Sequence, residues 1–523
     1  MKNSILSNVS FCVLSVLCVL AAGDENQWPQ ASGPNANWQV NGSAPTQWSV
    51  VRNENIAWKT ELPEGGQSSV TVFGDRAFLT THAPLGSSDE ITTSTDILGF
   101  CLDANTGKRL WNVRLPGSVA VGTAGIFSDA TVFAPVTDGK YVWFFNRSGS
   151  IGCYEFNGKR RWLREYTPRN RHTNRECEPI LLGDQIITVE VLNKENGALL
   201  KRHAPVPDDI NEKSVWTYLH GINKNTGEVL WTESVGTVCH NTPMIGRTHN
   251  GDPAIIHARG GGHGPLEKPY GISLTDLAPG REGRTLWSID LGKFDPSCNS
   301  HWNSKYVFAF QGEDHVLLDS QTGEEVSRRN VNKNVSYWKR DLDSKRWSLI
   351  ENTDLKVGRK HPHTNQTNIV VGEWHYFLAH DVNAIGRVHI DGRVEYLEVP
   401  IQLAASENGK NTWIWDKNDV VPIDTVNSRG INIAGDKRAT RTGWGHVSAA
   451  SPTLVGRHLL LPLMTGTVFV IDAEAPHLNG DALVAINDLG PAGKTWTLSS
   501  FAYANNALFM RTMKNVMRIE IAD

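Results

Sequence analysis

The sequence predicts an all-β fold: an eight-bladed propeller of four-stranded antiparallel blades, closed by pairing the first strand with the last. Three observations predict it. A glycine-turn-tryptophan phrase recurs along the chain, eight apolar strands open behind small or polar residues, and the two ends of the folded region are complementary halves of one unit. A short unit cannot bury its own apolar face, so a phrase that returns about every 40 to 90 residues marks copies that stack on one another.

The clearest copy runs from Cys101 to Trp111: a short strand, a Thr-Gly turn at Gly107, then a strand opening with Trp111. Asn157 to Trp162, Thr226 to Trp231 and Gly283 to Trp287 repeat it, and weaker echoes join Gly323 to Ser327 and Gly392 to Tyr396, with a loose version around Gly480. Asn55 to Leu62, which contains Trp58, reads like the half that follows each turn but has no turn ahead of it. The chain closes on Asn515 to Ile521, a strand with nothing after it. Joining these two halves closes the ring and removes the exposed edges.

The blade openings in chain order are Ser68 to Phe78, Ala130 to Phe145, Glu178 to Thr188, Asn241 to His257, Ser300 to Phe310, Thr367 to Phe377, Ser451 to Leu461 and Ser499 to Phe509. Each runs apolar and breaks at a Gly or Asn turn. Alternating runs such as Ile186 to Val189 and Val307 to Phe310 have strand period, and no stretch of ten or more residues has helix period.

The totals fit one large repeat domain: 523 residues, 40% hydrophobic, 20% charged, with 47 Gly and 24 Pro to punctuate turns. A net charge of -4 gives no basic footprint for nucleic acid. Lys2 precedes an apolar run from Phe11 to Ala22 that ends in small residues, so residues 1–23 read as a signal peptide and the protein as exported: periplasmic, secreted or surface-held. An uncleaved anchor is the alternative. No other stretch is long and apolar enough to span a bilayer, so no transmembrane segment is expected after cleavage. Residues 24–50, with Trp28, Trp38 and Trp48, read as an irregular arm draped over the domain, and residues 51–523 as the propeller, expected to be a monomer. Cys101, Cys153, Cys177, Cys239 and Cys298 remain after cleavage; an odd number leaves a thiol over, and at most one or two bridges are expected.

The Leu102 to Trp111 phrase resembles the repeat of the pyrroloquinoline-quinone (PQQ)-like propellers, over essentially residues 50–523, and Trp28-Pro29-Gln30 resembles the start of exported members of planctomycete type. The resemblance implies that Trp58, Trp111, Trp162, Trp231 and Trp287 dock between neighbouring blades. In quinoprotein alcohol dehydrogenases of this fold it further implies a quinone between a Trp floor and an adjacent Cys-Cys ring, calcium or a lanthanide held by Glu and Asn, and a catalytic Asp. This chain has no Cys-Cys dipeptide and no motif that places those ligands, so PQQ is not expected. Nor is there a Cys-x-x-Cys-His haem signal, a Gly-x-Ser-x-Gly elbow or a phosphate-cradling loop; the glycines from 260 to 264 read as a loop between strands.

In a four-stranded blade the start of the first strand, the second-to-third loop and the exit of the fourth strand share one face. The long irregular segments fall there: loops at about 82–97, 191–217 and 259–269, and insertions at about 332–364 and 400–446. Function in such scaffolds sits in variable loops. Polar residues cluster at the mouths of the inner strands, where a ring brings them to a central funnel. The candidates are Arg171, His172, Glu176, Cys177, Glu178, Cys239, His240, Asn241, His301, His361, His363, Asn365, Arg441, Trp444 and His446. Cys298 and His301, three apart, come nearest to a local ligand pair, so a metal ion in the funnel is one reading and a wet polar channel the other.

Two functions follow. The favoured one is an exported binding or scaffold propeller, similar to the outer-membrane assembly-factor type, presenting its loop face to a protein or glycan, with Trp338, Trp347, Trp413, Trp415 and Trp444 as anchors. The alternative is an enzyme: a metal-dependent polysaccharide lyase using His240, His301, His363 and His446 with Arg171 or Arg441, or a PQQ-type oxidoreductase. No catalytic residue is assigned.

Overall fold

The computed structural model describes residues 26–84, 96–118, 130–166, 177–192, 216–233, 242–261, 267–291, 300–356, 364, 367–379, 382–426 and 450–521. Eight antiparallel sheets form the ring, and the one helical element among the described residues is the single 3-10 turn Gly480–Ala482. Blades one to five are the consecutive strand sets beginning at Thr71–Phe73, Val136–Thr137, Ile180–Leu182, Met244–Arg247 and His301–Trp302. Blades six to eight begin at Asn368–Val371, Thr453–Val455 and Ala502–Ala504. Blade eight is completed by the N-terminal strand Ile56–Glu61, which pairs antiparallel with Asn515–Ile519, Ile56 facing Ile519 and Glu61 facing Asn515. The ring therefore closes as the half-units predict.

Neighbouring blades are joined at the glycine turns. Trp58, Trp111, Trp162 and Trp287 each donate their indole N–H to a carbonyl of the next blade's turn: Ala104 at 3.0 Å, Phe156 at 2.7 Å, Lys224 at 3.1 Å and Ser320 at 2.9 Å. Each ring lies flat on the turn's glycine. At Gly323, in the left-handed region at φ 76, a Cβ would come within 2.7 Å of Trp287; no other residue fits both demands. Trp231 departs from the series. It packs on Gly283 of blade four, but its N–H turns back to Gln185 of its own blade at 2.6 Å.

The last joints use other residues. Blade five offers Arg329 in place of a tryptophan, and its Nε donates to Gly392 of blade six at 2.9 Å. Between blades six and seven the docking ring is Trp347, stacked on Gly480. Trp347 comes from the first insertion, which is folded: Val335–Arg340 and Trp347–Thr353 form a hairpin that pairs in parallel with blade six's fourth strand, Val394–Glu398, and widens that blade to six strands. The first insertion was expected on the loop face; Val335–Thr353 instead runs up the outer side of blade six, because the unpaired edge of Val394–Glu398 offers it hydrogen bonds. Between blades seven and eight, Trp48 of the arm donates to Asp488 O at 3.1 Å and meets Phe501 edge-on at 5.8 Å.

The arm is not draped over the domain; it enters the centre of the ring. Gln27–Trp28 pairs with blade one's inner strand and Gln39–Val40 with blade seven's. Between them Pro29 O accepts from Thr137 of blade two, Gln30 Oε1 accepts from Leu181 of blade three at 2.7 Å, and Gln39 Nε2 donates to Val370 of blade six at 2.8 Å. All these partners lie toward the ends of inner strands, so the arm stoppers the channel on the face of the glycine turns. The physical reason is that inner strands present unpaired backbone groups to the channel, and the arm satisfies them. Trp28 and Trp38 are 0% and 2% exposed. A buried indole removes about 150–250 Å² from water, worth about 4–6 kcal/mol gross.

Candidate functional site

Above the stopper lies a cavity of about 40 Å³, floored by Ala31 and Trp38 and walled by Gln67, Ser69, Val132, Glu178, Thr242, Ser451 and Ser500. Of the funnel candidates, Glu178 is brought here. It is half-buried and its Oε2 accepts from the backbone N–H of Ala134 in blade two at 2.8 Å. Its neighbours also reach across blade boundaries. Gln67 N donates to Thr131 Oγ1, Ser500 N to Ser69 Oγ, and Thr453 Oγ1 to Phe501 O. Polar residues at the mouths of the inner strands thus act as a belt that ties blade to blade. Sequence spacing places them at the mouth but not which side of the strand they face.

His301 lies inside the wall, 1% exposed, rather than in open channel. Its Nε2 meets Asn368 O at 3.0 Å; a carbonyl only accepts, so that nitrogen carries the proton. His375 packs beside it and bonds both Asn368 Oδ1 at 3.0 Å and His315 at 3.1 Å. Burial holds all three imidazoles neutral: His301 is pushed down to about 4 and His315 to about 3, and His375 is driven well below the usual range by burial and by its two neighbours. A second sealed cluster sits between blades three and four. Glu233 Oε2 is 3.0 Å from His257 Nε2, its Oε1 accepts from Leu219 N, and burial raises its carboxyl above the usual range. Sequence reading missed both clusters, and the signal was there: His315, His375 and His257 each interrupt an apolar strand.

Arg171, His172, Glu176, His240, Asn241, Cys298, His363, Arg441, Trp444 and His446 lie outside the described residues, as do Cys239, His361, Asn365 and the signal segment. Among the described residues no three His, Cys, Asp or Glu side chains converge as metal ligands would. Trp38 supplies the floor of the cavity, and its walls mix Ser, Thr, Gln and Glu with Val132, Ala450 and Leu498. Cys101 and Cys153 are buried thiols within sheets, pushed by burial up to about 12, and Cys177 is buried as well. The cavity holds about three waters, against about 300 Å³ or more for small-molecule pockets.

The outer rim of blades six and seven is different. The tip of the hairpin meets Thr412–Ile414 from the second insertion. There the Arg340 guanidinium stacks on Trp347 at 4.0 Å and lies 5.5 and 5.9 Å from the rings of Trp413 and Trp415. It makes no hydrogen bond to a described residue and feels Asp341 only through space. Trp338 and Trp347 pack on the core, whereas Trp413 is 37% exposed. Four of the ten exposed large apolar side chains among the described residues fall on the hairpin and on the strand it meets: Leu342, Leu349, Ile350 and Trp413. Arg340 was not singled out in the sequence, since nothing local marks an arginine that meets Trp347 across a hairpin and Trp413 and Trp415 about 70 residues away.

The ring, its repeat and its closure define an eight-bladed β-propeller. Residues 18–203 match the family model described as outer membrane protein assembly factor BamB. The fold is shared with quinohemoprotein alcohol dehydrogenase from Comamonas testosteroni (12% identity, 95% of this chain and 81% of that one, TM-score 0.53). It is also shared with a europium-containing methanol dehydrogenase (11% identity, 93% and 89%, TM-score 0.51). BamB from Moraxella catarrhalis aligns over 89% of this chain and 97% of its own, at 11% identity and TM-score 0.46. No curated protein matches the chain. Among the described residues no helix is long and apolar enough to cross a membrane.

Proposed function

We propose that this chain is an exported scaffold that binds another protein through the rim of blades six and seven. The observation that carries the reading is the cluster of exposed apolar side chains Leu342, Leu349, Ile350 and Trp413 beside an Arg340 guanidinium that stacks on Trp347 and makes no hydrogen bond to a described residue. Contiguous exposed apolar surface marks interaction sites, and Trp with Arg dominates interface energetics. A match to an assembly factor points the same way. A protein suits the patch better than a glycan, because Trp413 and Trp415 tilt at 58° and form no flat platform for a sugar ring.

The test is photo-crosslinking in the native host, with the reactive side chain at position 413 or 342, and at the exposed Leu110 of blade one as the control. The reading expects a discrete protein adduct from the rim positions and none from position 110. Equal or absent labelling at all three would overturn it.

A further inference from the structure

Resting on that reading, we infer that the strand Trp347–Thr353 is a docking edge, on which an extended, acidic segment of the protein partner adds as a seventh strand of blade six. Trp347–Thr353 is the terminal strand of its sheet, and among the described residues no backbone group of it bonds outward. A free edge of seven residues is a template for another strand.

Several other outer edges are blunted: Arg109–Leu115 carries two charges, Arg160–Glu165 four and Glu325–Asn330 three, and Leu483–Asp488 is partly covered by Ser49, which bridges to Asp488. Val229–Thr232 carries none and Thr285–Asp290 one, but these edges are four and six residues long and stay within four-stranded blades. Trp347–Thr353 has one charge, Glu351, and presents Leu349 and Ile350, each 40% exposed, on its two faces. The hairpin also carries this edge two strand spacings, about 10 Å, beyond the rim of a four-stranded blade.

The edge is rigid before anything binds. Trp347 is pinned on Gly480 and donates to Glu398 O at 2.8 Å, Arg340 N donates to Glu398 Oε2 at 2.7 Å, and at the base Asn334 N donates to Asp354 Oδ1 at 2.9 Å. Preorganisation of this kind lowers the ordering cost of association. Charge selects the occupant. Arg340 with the exposed Lys339, Lys345 and Arg346 flanks the start of the edge; of the acids at the tip, Asp341 is occupied in accepting Ser344 N, which leaves Asp343. A guanidinium already oriented by aromatic rings and lacking a carboxylate suits an acidic side chain of the incoming strand.

The probe is an acetylated, amidated heptapeptide alternating Glu with Val and Thr, titrated into the full mature chain. Two further versions are N-methylated on alternate amides, one for each edge of the peptide. Strand addition predicts that methylation of one edge weakens binding about tenfold while the other edge costs less than about twofold. Arg340→Gln weakens it about tenfold, and Arg340→Lys restores part of the loss. Equal binding of both methylated forms overturns strand addition, and equal binding of a heptapeptide with Lys in place of Glu overturns the acidic assignment. If no peptide binds while crosslinks persist at position 413, the edge proposal fails and the scaffold reading stands. If the crosslinks vanish too, both fail. Unchanged thermal unfolding of the Arg340 variants separates lost binding from lost fold.

Discussion

The inner wall of the ring and its outer rim are built from similar residues put to opposite uses. On the inner wall polar groups tie blade to blade: Glu178 holds Ala134, Thr131 holds Gln67, Ser69 holds Ser500, and the arm takes backbone groups of blades one, two, three, six and seven. On the rim of blades six and seven, among the described residues, a guanidinium is stacked but not hydrogen-bonded and a strand edge is open. A ring with eight joints is only as stable as its weakest one, so groups near the axis serve cohesion. The hairpin is anchored by Trp347, and its outer surface is released from that duty.

The comparison breaks first at the stopper. If the arm is part of the core, Trp28→Ala should cost about 3–5 kcal/mol in urea unfolding, the usual range for a fully buried tryptophan. A loss below about 1 kcal/mol would mean that the arm merely rests in the channel. The joint between blades five and six gives the next effect. The folded pKa values of His301 and His315 lie below that of free histidine, so the unfolded chain binds more protons as the pH falls under about 6.5. Stability is therefore complete above that value and declines through about pH 4, by a few kcal/mol. Urea midpoints between pH 7 and pH 4.5 should fall less steeply for His315→Phe than for the parent protein; parallel slopes would remove the cluster as the cause. A smaller loss, about 1–3 kcal/mol, is expected for Gly323→Ala, where a Cβ meets Trp287 and φ is positive. Gly312→Ala, also at positive φ but with open space around it, should cost less and so isolates the packing part.

The same contrast explains what could be read from the sequence. Blade number, strand openings and ring closure were legible because the turn glycine and docking tryptophan are local, a few residues apart, and recur. Trp347 was legible as an aromatic in an insertion but not as the missing docking residue of blade six, since its glycine partner is Gly480, far along the chain. The arm was misread for a related reason. Its tryptophans and prolines have no period, and nothing local distinguishes a segment lying on a surface from one that satisfies inner-strand backbone. His301 was placed correctly at the start of an inner strand, yet the side of the strand it faces depends on His315 and His375 from two different blades.

The smallest effect on stability should come with the largest effect on binding. Trp413 is 37% exposed, and the Arg340 side chain makes no hydrogen bond to a described residue. Trp413→Ala should therefore change unfolding free energy by less than about 1 kcal/mol, the scale of an exposed cation–π contact. The same substitution removes an exposed anchor beside Arg340, where aromatic truncations commonly cost about 2 kcal/mol or more of binding. Comparing Trp413→Ala with Trp28→Ala thus pits rim against wall directly: the first should spare the melting curve and abolish the partner crosslink from position 342, the second the reverse wherever the chain still folds. If Trp413→Ala instead destabilises as much as a wall tryptophan, the rim is a covered joint like the others, and the protein's binding surface lies elsewhere on the ring.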